Sequence, residues 1–305
     1  MKAKLLLLVM VCSAVFFACT KSSTKPDVQA EKPDEQIALP LVGVNFNFSD
    51  FEVGFQGARK NAKEMAAKDF LTFLNYSVYD SAGYFVKQIS HYKWYDSSRF
   101  GQFSDSLRPG RYDIVFVGSA YDSVYISNYL QLSTVLINRL AGNGARADVF
   151  YKRFSLMVSN KDTTLSNVRL DRITGGLEVR LKDTSLPSNV SRVTVVAKNA
   201  PTSFSILQQN AVGLDSAIAG QFSTQYDSYP ISMASFYFGA QNKVQVIIRA
   251  FDKNNLIITE KIVDNVYVYL NKKTVLSGKL FSGPANVEVP VTVDPDYAET
   301  INQSF

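Results

Sequence analysis

Cysteine is nearly absent from this chain, and both copies lie close to the N-terminus. The 305 residues contain two, Cys12 and Cys19. Cys12 falls inside an apolar leader, so Cys19 is the sole cysteine expected in the mature chain. An intramolecular disulfide and a cysteine-rich metal site are thereby excluded. Histidine is as scarce: His91 is the one copy, which rules out a paired-histidine zinc motif, and a lone imidazole lacks the placed partners a general base needs. There is no glycine-rich phosphate loop and no nucleophile elbow. Carboxylate neighbours such as Asp294 and Asp296 read as solvated loop acids, since spacing alone does not define a glycosidase pair. The sequence therefore points to a non-enzymatic binding or structural role, with no cofactor and no metal. Charge is scattered as well. Without the two leader lysines, 30 basic residues stand against 27 acidic ones, with no basic stripe for nucleic acid.

Long hydrophobic runs are missing but for one. Lys2 and Lys4 precede an uncharged stretch from Leu5 to Phe17, and Phe16-Phe17-Ala18-Cys19 follows. A positive start, a short apolar run and a small residue at the end are the layout of a secretory signal. The run falls short of the roughly 20 residues that span a bilayer. Residues 1–18 are thus expected to be removed. Ala18 before Cys19 resembles a lipobox, in which the cysteine thiol accepts acyl chains, although Phe16 and Phe17 are bulkier than is usual there. An ordinary signal cleaved without lipidation is the alternative. Two or more acyl chains give stable anchoring to a lipid bilayer. Residues 19–40 are polar, carry prolines and have no apolar period, as in a flexible tether.

What is abundant is strand-forming material: 21 Phe and 16 Tyr, with many Val, Ile, Ser and Thr. Apolar residues alternate at Val44-Phe46-Phe48, Tyr112-Ile114-Phe116, Val244-Val246-Ile248, Val266-Val268-Leu270 and Val287-Val289-Val291-Val293. Period two predicts antiparallel strands with one buried and one wet face. Asp80-Ser81-Ala82-Gly83 and Asp252-Lys253-Asn254-Asn255 sit between apolar segments and predict hairpins. Asp bonds backbone ahead of it, and Gly or Asn accepts a left-handed conformation. Leu107-Arg108-Pro109-Gly110 is a turn entering a strand. Short helices are expected at 61–69 and 129–140, the latter stopped by Ala141-Gly142-Asn143-Gly144. A boundary near 160–167 divides the body into β-sandwiches at 41–165 and 166–305. Tyr92, Trp94 and Tyr95 form a candidate ligand platform for a sugar, though such clusters more often serve strand packing.

Four segments, taken together with the leader, resemble the fimbrillin-associated anchor and minor subunit family of Bacteroidales-type fimbriae. They are Leu74 to Gly83, Leu107 to Phe116, Asp148 to Tyr151 with Val168 to Val179, and Asn271 to Phe281. Each alone is a hairpin with ordinary turn residues; their order and spacing carry the resemblance over nearly the whole mature chain. The resemblance implies an all-β fold of two tandem transthyretin-like β-sandwiches on an outer-membrane lipoprotein. It also implies other fimbrial subunits as partners, joined by strand exchange at the cell surface. On that reading Val42 to Phe55 is the first strand, and Arg59-Lys60 beyond it is a candidate processing site for a trypsin-like protease. Cleavage there would release the lipid. The alternative for Arg59-Lys60 is a plain exposed loop pair. Val287 to Val293 is the candidate donor strand, with Pro290 suited to an edge. The rival role is a surface glycan-binding lipoprotein for nutrient uptake, with Trp94 as its platform. Asp-Ser or Asp-Thr followed by an apolar residue or Thr, as at Asp80-Ser81-Ala82, also looks like a bacterial O-glycosylation acceptor; turn chemistry explains the same pairs.

Overall fold

A computed structural model of the chain describes residues 40–47, 53–54, 70–120, 124–139, 148–166, 168–223, 231–239, 243–281 and 299–304. The leader, the tether with Cys19, Arg59-Lys60, the helix expected at 61–69 and the strand expected at 287–293 lie outside them. Within them the chain is all β, as the strand-former content and alternation require.

Two pairs of sheets are formed. In the first pair, β1 (Val42–Asn47) lies between β5 (Gln102–Leu107) and β10 (Thr163–Ser166). Facing it is a six-stranded sheet in the order β2 (Val53–Gly54), β11 (Leu170–Arg172), β9 (Val149–Val158), β6 (Gly110–Ser119), β3 (Phe73–Asp80), β4 (Phe85–Tyr92). Between them Val44 and Phe46 meet Tyr76, Phe103, Phe116 and Phe150, all buried in one cluster. In the second pair, a four-stranded sheet runs β15 (Ser232–Phe238), β12 (Thr174–Leu181), β18 (Lys272–Gly278), β19 (Glu299–Ser304). It faces β17 (Ile257–Tyr267), β16 (Lys243–Phe251) and β13 (Arg192–Ser205), with β14 (Asn210–Ser223) also paired to β13. Leu177, Val179, Tyr237, Val195, Val246 and Leu276 fill that core.

The turn chemistry is as the sequence predicts. One carboxylate oxygen of Asp80 accepts the backbone N–H of Ala82 at 2.9 Å and of Tyr84 at 2.8 Å, while Gly83 takes a φ of 83°. Asp252 repeats the device, accepting from Asn254 and Leu256, each at 2.8 Å, with Asn255 at a φ of 62°. At the Pro-Gly turn the Tyr112 hydroxyl donates to the Arg108 carbonyl at 3.0 Å, pinning β5 to β6.

Two expectations are corrected. The described part of the segment expected to be a helix at 129–140, residues 129–139, does not form one. After a turn, Leu132–Thr134 makes one 3-10 turn and Leu136–Arg139 is strand β8, paired with β7 (Val124–Ser127). Leu130 is left exposed while Val135 and Ile137 are buried, an alternation of two. The β-branched Val135 and Ile137 favour the extended form once a partner strand is present. The second correction concerns the wet face. β3, the second half of β6 and the start of β9 are buried on both faces. The β7–β8 hairpin covers the far side of that sheet, where Phe73, Val115, Val117, Ile137, Val149 and Phe204 form a third core. Through β8, which pairs with Ser203–Ser205 of β13, the same hairpin extends the second sandwich. Finally, Val266 is in strand and Val268 is buried, but Leu270 sits in a turn before Asn271, whose φ is 52°.

Candidate functional site

The strand with the most unusual position is β1. It is the first described strand, yet it occupies the middle of its sheet. It pairs antiparallel with β5, from Val42 opposite Leu107 to Asn47 opposite Gln102. On its other side it pairs parallel with β10, from Val44 opposite Thr163 to Asn47 opposite Ser166. Alternation puts Val42, Val44 and Phe46 inward. The Phe46 ring lies 5.2 Å from both Tyr76 and Phe116, tilted to the first and edge-on to the second. At the start of the strand the Gly43 N–H donates to the Asp162 carboxylate at 2.9 Å. This middle strand, near the start of the described residues, is held by two ladders and three side-chain pockets, and its removal would expose two strand edges. Unpaired edges of that kind are templates for another strand.

The aromatic trio is brought together by the turns that follow β4. The Tyr92 carbonyl accepts from Tyr95 N–H at 3.0 Å and Asp96 N–H at 2.8 Å, and the Asp96 carboxylate accepts from Tyr92 N–H at 3.0 Å. Tyr92 is half-buried against Phe73, with ring centroids 5.1 Å apart. Trp94 and Tyr95 stand out from it, 54% and 82% exposed. The three centroids are 6.1 to 6.3 Å apart. The trio therefore exists as a surface cluster, and only Tyr92 does packing work. His91 is placed differently: its ring stacks on Phe103 at 4.4 Å, within 6° of parallel, and burial lowers its pKa.

Sequence reasoning missed a buried polar junction. Asp148, Arg172, Thr174 and Asn271 are all nearly inaccessible. Arg172 Nη2 meets Asp148 Oδ2 at 2.8 Å, and Nη1 donates to Asn271 Oδ1 at 3.2 Å. The Thr174 hydroxyl donates to the other Asp148 oxygen at 2.5 Å. Burial raises the Asp148 carboxyl pKa, against the downward pull of Arg172 and Thr174. The four residues join β9, β11, β12 and the turn before β18, so they tie the first sandwich to the second. At the same crossing Gly175 has no alternative, because a Cβ there would lie 2.1 Å from the Tyr269 carbonyl oxygen. Two of the four segments that carry the family resemblance, 148–151 with 168–179 and 271–281, thus converge here.

On the second sandwich Glu178 gathers Arg180, Ser232 and Lys273. Burial pushes its pKa up, but hydrogen bonds from Arg180, Ser232 and Lys273 outweigh this and bring it down to about 2. A folded value below the unfolded one gives stability above the unfolded pKa and loses it as pH falls through the folded pKa. Stability is accordingly expected to drop by roughly 2 kcal/mol between pH about 4.5 and about 2. Glu178→Gln should flatten that part of a curve of unfolding free energy against pH.

No family model and no curated protein matches the chain. Solved structures do match. A candidate polysaccharide-binding protein from Bacteroides thetaiotaomicron superposes with a TM-score of 0.50 at 10% identity, over 72% of this chain and 79% of that one. A candidate adhesin from Bacteroides ovatus gives 0.49 at 14% identity, over 74% and 79%. The fimbrial anchor protein Mfa2 from Porphyromonas gingivalis gives 0.46 at 14%, over 73% and 82%. What is shared at such identities is the fold. The named structural neighbours of this all-β chain include a fimbrial anchor and an adhesin candidate beside the polysaccharide-binding one.

Proposed function

We propose that this chain is a non-enzymatic lipoprotein of the outer membrane, acting as a fimbrial anchor or minor subunit that joins partner subunits by strand exchange. The observation that carries the reading is the placement of β1 in the middle of a sheet, close to the start of the described body. Residues 1–18 are the signal, acylated Cys19 holds the chain to the bilayer, and 19–40 is the tether leading to Val42. Sandwiches expected at 41–165 and 166–305 form the body, with the chain of the first running on through β11 (Leu170–Arg172), and with the β7–β8 hairpin lending strands to a sheet of the second. Arg59 and Lys60 follow β1 and the two-residue edge strand β2 in the chain, so cleavage there would detach lipid, β1 and β2 together and leave a groove between β5 and β10. An uncut chain stays at the membrane as an anchor, whereas a cut one becomes a shaft or tip subunit.

The test is a gel of the tagged protein from native outer membranes, run in SDS with and without boiling. A high-mass ladder that collapses to monomer on boiling is the expected result, because exchanged strands make many main-chain bonds at once. Monomer in both lanes, under conditions where surface fibres form, would sink the proposal.

A further inference from the structure

We infer that Trp94 and Tyr95, braced by Tyr92, form a carbohydrate-binding surface that takes a β-linked hexose unit of a glycan. Trp94 and Tyr95 present two adjoining rings to solvent, 54% and 82% exposed on consecutive positions. The first argument is rigidity. The connection from β4 to β5 is stapled by successive turn hydrogen bonds: Tyr92 carbonyl to Tyr95 and Asp96, Asp96 carbonyl to Arg99, Arg99 carbonyl to Gln102. Tyr92 is wedged on Phe73 and its N–H is held by Asp96. The backbone that carries the rings is thus held before a ligand arrives, which lowers the ordering cost of binding.

The second argument is shape. The Trp94 and Tyr95 planes stand at 69° with centroids 6.3 Å apart, which makes an open corner rather than a flat stack. An equatorially substituted hexose has a flat C–H face to lay on one ring and an edge to rest against the other. Its hydroxyls then point outward, and the residues that flank the pair in the chain are polar: exposed Ser97, Ser98 and Arg99 on one side of it in sequence, and half-buried Lys93 on the other. Few placed polar groups around an apolar platform are the usual makeup of a small-ligand site.

The test uses a convenience of the composition. Trp94 is the chain's single tryptophan, so its emission reports on this site alone. Detergent-solubilised full-length chain is titrated with cellohexaose, laminarihexaose and β-1,6-glucohexaose. A saturable emission change with at least one of them is expected. Isothermal titration of the same sugar should show affinity falling at least tenfold in Trp94→Ala and several-fold in Tyr95→Ala, with Trp94→Phe intermediate. Both alanine variants should keep their Tm, since the rings are largely outside the core. No saturable response to any hexasaccharide, or equal affinity in Trp94→Ala, overturns the inference. So does a loss of the SDS ladder in Trp94→Ala without sugar binding by the parent chain, which would make the corner a subunit contact. Sugar binding by a chain that forms no ladder upholds this inference while the fimbrial reading fails.

Discussion

Asp148→Ala is expected to destabilise the protein by about 3–5 kcal/mol, the cost of leaving a buried charge without its partner. The size follows from where Arg172 is. Its side chain is 3% exposed and reaches Asp148 and Asn271 in a region closed to water. Water cannot replace the lost carboxylate, and the hydroxyl of Thr174 loses its acceptor too. The measurement is the urea midpoint, or a Tm expected to fall by roughly 10 °C for a body of this size. A companion variant separates two explanations. If the penalty is the stranded charge, Asp148→Ala with Arg172→Met should recover much of the loss, since apolar replacements of buried ion pairs are often neutral. If the double variant is as unstable as the single one, the four-residue junction acts through its hydrogen-bond geometry and not through charge balance.

How much of this could be read from the sequence depended on whether the signal was local. Asp80 and Asp252 announce their hairpins because the acceptor and the backbone it bonds lie within four residues. Alternation found β6 and β16 for the same reason. The junction was not legible: Asp148 and Arg172 are 24 positions apart by number and Asn271 is 99 beyond Arg172, and nothing near any of them names a partner. A weak signal existed, an acid or an arginine set directly against strongly apolar strand, as in Asp148-Val149-Phe150 and Arg172-Ile173. The 129–140 segment failed for a related reason. Its leucines fit a helical face, and only the partner strand β7, with the sheet surface beneath it, selects the extended form. The Tyr92-Trp94-Tyr95 cluster was found from composition, but which of its rings is exposed depends on Phe73 lying under Tyr92.

Phe46→Ala is expected to cost about 3–5 kcal/mol, the range for truncating a buried phenylalanine, whereas Asn45→Ala, one position away on the outward side, should cost under about 1 kcal/mol. Both residues keep the same ladders to β5 and β10, so the contrast isolates the side-chain pocket from the main-chain bonds. That distinction matters for strand exchange. Main-chain pairing would accept almost any extended peptide, and the pockets filled by Val42, Val44 and Phe46 must supply the choice of partner. A synthetic peptide covering residues 40–50 should therefore compete when unfolded full-length chain is refolded from urea, lowering the yield of any high-mass ladder. The same peptide carrying Phe46→Ala should compete far less. Equal competition by the two peptides would show that the groove reads backbone alone, and selection of the entering strand would then have to lie outside β1.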